Sequence, residues 1–388
     1  MRKLICIVLA LTVVLFCVAC SSKPPLPTDS SPNAASQTDP SSIANSDASS
    51  DADSSGSTTP VVETLPQYDV LNVGVLVSTV GIPALYAQDQ GWFEEVGLNV
   101  NILTFPTGAP VNEAIAADSL DIACSGFASV YSLANADCKW LLDINTTGGM
   151  GVFAREGSPV IAAGNTLPGY PNILGSVDTI RGLQILGPVG TAVQYMVEGY
   201  ADKFGLTPDQ ISMVNMEYAP AYQAYVAGEG DLNATNPPTS YRMADEGYAL
   251  VCSFEDATGV SLMDGCFVRR EISEKRGDEV QLFVDVLVRA MDALQDKDTR
   301  FEYTIQKYHE NAQEFSEETL LREFGDRDYM GTGFVTANGY IFGEAWGAIT
   351  DFLVSAERIT TENAPNVAAS LEPSYLEKTT GASIAKFQ

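Results

Sequence analysis

Histidine is nearly missing from this chain: the one example, His309, sits in a Lys/Glu-rich stretch read as the solvent-facing side of a helix. Imidazole-based acid–base chemistry needs a partner within bonding reach, and the sequence suggests none there. No His/Cys set has metal-ligand spacing, so no metal site is expected. No Gly-x-Ser-x-Gly elbow occurs. The run Gly187-Pro188-Val189-Gly190-Thr191 lacks both the Lys of a phosphate loop and the third Gly of a dinucleotide fingerprint. Binding is therefore favoured over turnover, and no cofactor is expected. The repeats and exposed apolar runs of a structural or adhesive surface protein are absent too. Cations are scarce: 21 Lys and Arg stand against 50 Asp and Glu, a net charge of −29. That excludes nucleic acid as a partner, and it excludes a surface held on anionic lipid by basic residues.

What is present begins with a leader. Arg2 and Lys3 precede an apolar run from Leu4 to Val18, with small residues before Cys20, which is the layout of a secretory signal over residues 1–19. Val18-Ala19-Cys20-Ser21-Ser22 resembles a bacterial lipoprotein processing site, which implies that Cys20 is acylated; Cys17 stands where that pattern usually has Leu. Losing Arg2 and Lys3 leaves 19 of the 21 basic residues against 50 acids, or −31. From Ser21 to Pro66 the chain is Ser, Thr, Pro, Asp and Ala with almost no large apolar side chain. It cannot bury enough surface to fold and reads as a tether spanning about 35–40 Å. Residues 20–67 are thus expected to hold the folded part on the outer face of a cell membrane. A diacyl anchor is expected, because one chain holds only marginally.

The folded part, 68–388, opens with three strand–helix steps. Leu71 to Val77 reads as a strand running into Ser78-Thr79-Val80-Gly81-Ile82-Pro83, with a helix behind it. Leu98 to Phe105 stops at Pro106-Thr107-Gly108-Ala109-Pro110; Leu120 to Ala123 stops at Ser125-Gly126. In a parallel sheet such loops gather along one edge, where helix N-termini point into a common crevice. The pattern returns at Leu183-Gln184-Ile185-Leu186, whose loop ends in Gly190-Thr191, at Ile211 to Met216, and at Asp231 to Thr235 before Asn236-Pro237-Pro238. Two α/β lobes facing a cleft follow. The first is expected at about 68–152 and 267–388, the second at about 153–266, with hinges at Met150–Arg155 and Cys266–Arg270. From Asp278 the positions Val280, Phe283, Val284, Leu287, Val288, Met291 and Leu294 carry a helical stripe.

The run Pro83…Ala87…Gly91-Trp92-Phe93-Glu94-Glu95-Val96-Gly97-Leu98-Asn99-Val100, then Gly108…Asn112-Glu113-Ala114 and Asp121-Ile122-Ala123…Gly126, resembles bacterial solute-binding proteins of the nitrate, sulfonate, taurine and thiamine-precursor type. The likeness extends through Gly182 to Gly247. It implies a two-lobe, periplasmic-binding-protein-like (type II) fold, a monomer serving an ABC permease, and hinge closure on a small solute. An enzyme relative of this fold makes the thiamine pyrimidine with a Cys-rich run and histidines, and neither is present here.

Between Asp69 and Ile180 the only basic residues are Lys139 and Arg155, so the loops there offer N–H groups and hydroxyls but no cation. Candidate ligand contacts are Ser78, Thr79, Thr107, Gly108, Ser125, Gly126, Gly190, Thr191, Tyr195 and Asn236. Helix N-termini can hold an oxyanion without Arg, but a strongly anionic ligand must enter an acidic protein. A small organic sulfonate or zwitterion, taurine-like, is ranked first; a flat heteroaromatic such as a pyrimidine, thiamine precursor or riboflavin follows. Cys124/Cys138 and Cys252/Cys266 are each fourteen apart. They are read as either bridges, which export permits, or buried free thiols.

Overall fold

The structure is a computed structural model describing residues 68–388 except Ala136. The expected leader, Cys20 and tether lie outside the described residues. Among the described residues ten strands form two five-stranded sheets. In the first, β1 (Leu71–Leu76) pairs in parallel with β2 (Val100–Phe105) and β3 (Ile122–Ser125). β4 (Cys138–Thr147) then leaves the lobe, and β5 (Gly151–Ala154) already belongs to the second sheet. There β6 (Gln184–Gly187) pairs in parallel with β7 (Ser212–Asn215) and β8 (Leu232–Thr235), and β9 (Ala249–Ser253) lies beyond β5. β10 (Leu262–Arg269) returns antiparallel between β3 and β4, so the orders are β2-β1-β3-β10-β4 and β7-β6-β8-β5-β9.

The crossings differ from those expected. β5 sits wholly in the second sheet and β10 is in the first from Leu262 on. The linking segments are therefore 148–150 and 259–261, not Met150–Arg155 and Cys266–Arg270, and the first lobe resumes before residue 267. Gly149 and Gly259 both have left-handed backbones, φ 76° and 71°, which Gly adopts at no steric cost. The antiparallel strands hid this: sequence periodicity marks a strand but not the sheet that receives it.

Packing explains the rest. The stripe on the helix Gly277–Ala293 is buried throughout, and Phe283 stacks on Phe93 with centroids 5.3 Å apart. Trp140 is fully buried, edge-on to Trp346 at 4.9 Å and stacked over Phe267. Each such side chain contributes about 1.5–3 kcal/mol by leaving water. The C-terminal helices thus cover the first sheet. Among the described residues no helix is long and apolar enough to cross a membrane.

Of the two readings of the cysteines, bridges at the fourteen-residue interval are corrected and buried free thiols are what the structure holds. Cys252 is in β9 of the second sheet and Cys266 in β10 of the first, so those two are not neighbours. Cys138 opens β4 opposite Arg269, whereas Cys124 faces Cys266 across the β3–β10 ladder. All four are buried free thiols.

Candidate functional site

Parallel strands deliver their C-terminal ends to one edge of each sheet, and the two edges face each other. β1, β2 and β3 present Ser78, Thr107-Gly108 and Ser125-Gly126; β6, β7 and β8 present Thr191, Glu217-Tyr218 and Asn236-Pro237-Pro238. All of these line one cleft of about 480 Å³. Helices that start there include Gly108–Ala116, Ala192–Lys203 and Tyr218–Val226, with N-caps Thr107, Thr191 and Glu217. None of the three has a side-chain cap, so their first N–H groups stay available. Away from the cleft, Ser158, Ser176 and Ser253 do cap their helices. The cap hydroxyls at the cleft are used otherwise: Thr107 Oγ1 donates across it to Glu217 Oε1 at 3.2 Å, and Thr191 Oγ1 donates to the Pro188 carbonyl at 2.9 Å.

Seven of the ten candidates line the cleft: Ser78, Thr107, Gly108, Ser125, Gly126, Thr191 and Asn236. Three do not. Thr79 is buried behind it, donating to Glu323 Oε1 at 2.6 Å. Gly190 turns its N–H to Gln194 Oε1 at 2.7 Å. Tyr195 is buried among aromatics, stacked on Phe127 at 5.2 Å and against Phe352 at 4.0 Å. One turn into its helix, it faces the core between the lobes.

The sequence reading missed the charged floor. Arg327, 3 % exposed, and Asp264 both line the cleft, with a guanidinium nitrogen 3.7 Å from Asp264 Oδ2. Burial raises the Asp264 carboxyl; the Arg327 charge and the Asn145 amide, 3.2 Å away, oppose that rise. Burial likewise raises Glu323, which Arg327 opposes. Gly126 is required here, since a Cβ on it would sit 2.2 Å from Asp264 Oδ1. Residues 69–180 indeed supply no cation to the wall, but Arg242 and Arg327 come from later in the chain. Phe127, Tyr218, Tyr222 and Phe315 add aromatic faces. Burial raises the Tyr218 phenol, which is hydrogen-bonded to Thr191.

Four buried polar atoms on this wall have no partner: Ser125 Oγ, Thr147 Oγ1, Glu217 Oε2 and Arg327 Nε. Buried polar groups are normally paired; among the described residues ten further unpartnered atoms lie away from this wall, Asn233 Nδ2, Thr235 Oγ1 and Arg300 Nε among them. His309 pairs with Glu314 at 3.1 Å on the half-exposed surface, and neither it nor any of the four described cysteines lines the cleft.

Residues 78–169 match the NMT1/THI5-like family model. A protein of Brachyspira hyodysenteriae named for a role as an ABC transporter periplasmic binding protein is 27 % identical over 310 residues, 79 % of this chain and 89 % of its own. The fold is that of periplasmic binding proteins. The alkanesulfonate-binding protein SsuA of Xanthomonas axonopodis pv. citri, bound to MOPS, superposes with a TM-score of 0.60 at 17 % identity over 79 % of this chain and 99 % of its own. The nitrate-binding protein NrtA of Synechocystis PCC 6803 gives 0.61 at 11 % identity over 82 % and 90 %. The desulfurization enzyme DSZB shares the fold as well, at 0.54 and 13 % identity over 81 % and 99 %. Fold alone thus does not separate binder from catalyst, and the site chemistry has to.

Proposed function

We propose that this chain is the solute-binding component of an ABC importer, and that its cleft captures a small organic sulfonate or zwitterion for delivery to a membrane permease. The ABC-transporter naming of the Brachyspira relative and the NMT1/THI5-like match support the first half. One observation carries the second: unpartnered Ser125, Thr147, Glu217 and Arg327 atoms converge on a cleft fringed by uncapped helix starts. Ser78, Thr107, Gly108, Ser125, Gly126, Thr191 and Asn236 are the proposed contacts, with backbone N–H groups holding the oxyanion. The binding-protein naming of the Brachyspira relative supports binding over turnover. Outside the described residues, Cys20 is proposed as the lipid anchor of an extracytoplasmic monomer; a Cys20→Ser chain that stays membrane-bound and acylated would refute this.

The test is a thermal-shift panel of taurine, alkanesulfonates, nitrate, pyrimidines and riboflavin, with sugars as the contrast. A ligand at a hundred times its Kd stabilises by about 2.7 kcal/mol. A shift with sugars alone would overturn the proposal. A second reading, a heteroaromatic vitamin precursor, is favoured by the faces of Phe127, Tyr218, Tyr222 and Phe315; a shift with pyrimidines or riboflavin but not sulfonates would select it.

A further inference from the structure

Taking the solute-capture reading as its basis, we infer that the ligand carries a cationic group and that Glu217 is the residue that reads it. The cations of the wall are already answered. Arg327 faces Asp264 at 3.7 Å and lies in the field of Glu323, while Arg242 bonds Glu246 at 3.1 Å and lies over the Tyr222 ring. Glu217 is different. Its Oε1 takes the Thr107 hydroxyl from the opposite lobe at 3.2 Å, and its Oε2 is buried with no partner. No ion pair to it occurs among the described residues.

A bare anion entering this cleft would meet one unanswered carboxylate and two guanidiniums whose charge is already offset. Its approach to Glu217 would be repulsive at short range and weakly screened. An ammonium donating to Glu217 Oε2 removes that cost and completes the wall. The anionic end of the same molecule then has the unpartnered Arg327 Nε and the uncapped helix starts at Gly108 and Ala192. Because Glu217 is held by Thr107 only where the lobes meet, reading the cation also ties ligand charge to closure.

Calorimetric titration of the full folded domain with matched probes tests this. Taurine and β-alanine carry N–H-bearing ammonium groups; propanesulfonate and propionate do not. One charge-assisted hydrogen bond predicts that ammonium-bearing probes bind about 10–100-fold tighter than their anion-only counterparts. Glu217→Gln, its fold checked by circular dichroism, should collapse that ratio. Binding of the anion-only sulfonate as tightly as taurine overturns the inference and leaves the sulfonate reading standing. Binding of β-alanine alone upholds the cation and removes the sulfonate. No binding by any probe removes both, and an unchanged ratio in Glu217→Gln removes Glu217 from the role.

The β3–β10 register carries a second, independent assignment: we propose that Cys124 and Cys266 form a cross-strand disulfide in the oxidised protein. They are direct partners in an antiparallel pair, both fully buried. Opposite residues in such ladders have Cα atoms about 4.5–5.5 Å apart, inside the range a disulfide spans. Forming the bond takes two protons and two electrons from the two thiols and reduces one disulfide of an exchange partner to two thiols. Burial places that exchange before β10 closes on β3. The test refolds reduced chain in glutathione with its disulfide, blocks free thiols in denaturant and maps peptides without reduction. A linked Cys124–Cys266 peptide with Cys138 and Cys252 alkylated is expected, together with a thermal midpoint about 5–10 °C above the reduced form. Four alkylated thiols, or a bridge through Cys138 or Cys252, would overturn it.

Discussion

The two sheets repeat one strand order, yet they meet the cleft with different chemistry. The first lobe presents small loop residues, Ser78, Thr107, Gly108, Ser125 and Gly126, backed by the buried Asp264–Arg327 pair. The second presents long side chains, Glu217, Tyr218, Tyr222 and Arg242. The buried charge also divides unevenly. Asp143 and Glu323 belong to the first lobe, whereas the buried polar residues beside the second sheet's cleft edge are Thr191, Asn233, Thr235 and Ser240, with Glu198 the buried charge on the helix Ala192–Lys203. A shared topology decides where the loops meet; side-chain length and burial decide which lobe is rigid charge and which is adaptable wall.

If the first lobe's floor depends on charge, breaking it should have the largest effect. Arg327→Met leaves Asp264 without its cation and Glu323 with Arg300 alone, and is expected to cost about 3–5 kcal/mol in urea unfolding. Adding Asp264→Asn should recover part of that loss; a loss under about 1 kcal/mol in the single variant would show the pair to be dispensable.

The next effect is a pH dependence. Asp143 is buried, accepting from Trp140 Nε1 at 2.8 Å and the Tyr340 hydroxyl at 2.6 Å, and burial raises its carboxyl above the ordinary range. With a folded value above the unfolded one, its contribution is fully present below the unfolded value and is lost as pH rises through the folded one. Asp143→Asn should therefore gain on wild type as pH climbs out of the ordinary carboxylate range. Parallel stability curves would place the dependence elsewhere.

Smaller still is the crossing. Gly149 has φ 76°, and a Cβ on it would meet the Tyr241 hydroxyl at 2.1 Å. Gly149→Ala is expected to cost about 1–3 kcal/mol and, by pushing the Tyr241 hydroxyl off Asp326 Oδ2, to which it donates, to enlarge the radius of gyration seen in small-angle scattering. An unchanged radius would separate the crossing from closure. Least of all, Ser176→Ala removes the capping box of the short helix Val177–Ile180 in the second lobe. It should cost about 1 kcal/mol and leave ligand titrations untouched.

The strand–loop–helix steps were legible because each joins a short apolar run to Gly and hydroxyl residues before a helix. The loops of the site followed, since parallel strands bring such ends together whatever their sequence. Glu217, Asp264 and Arg327 were not legible. Asp264 and Arg327 join the wall only through the return of β10 and the C-terminal helices, long-range placements that local pattern does not encode. Thr79 shows the converse limit: its hydroxyl type was right, but the residue turned inward to the buried Glu323. Cysteine spacing misled similarly, because Cys124 and Cys266 are opposed by register and not by interval.

The return of β10 also bears on how the chain assembles. All five strands of the second sheet come from one uninterrupted stretch, Gly151 to Ser253. The first sheet lacks its fourth-placed strand until Leu262–Arg269 has emerged, and Cys138 finds Arg269 only then. Closing so long a loop makes such pairings slow. The second lobe should therefore be born complete while the first waits open. An excised piece spanning 148–261 keeps its whole sheet; no continuous piece of that length can do the same for the first.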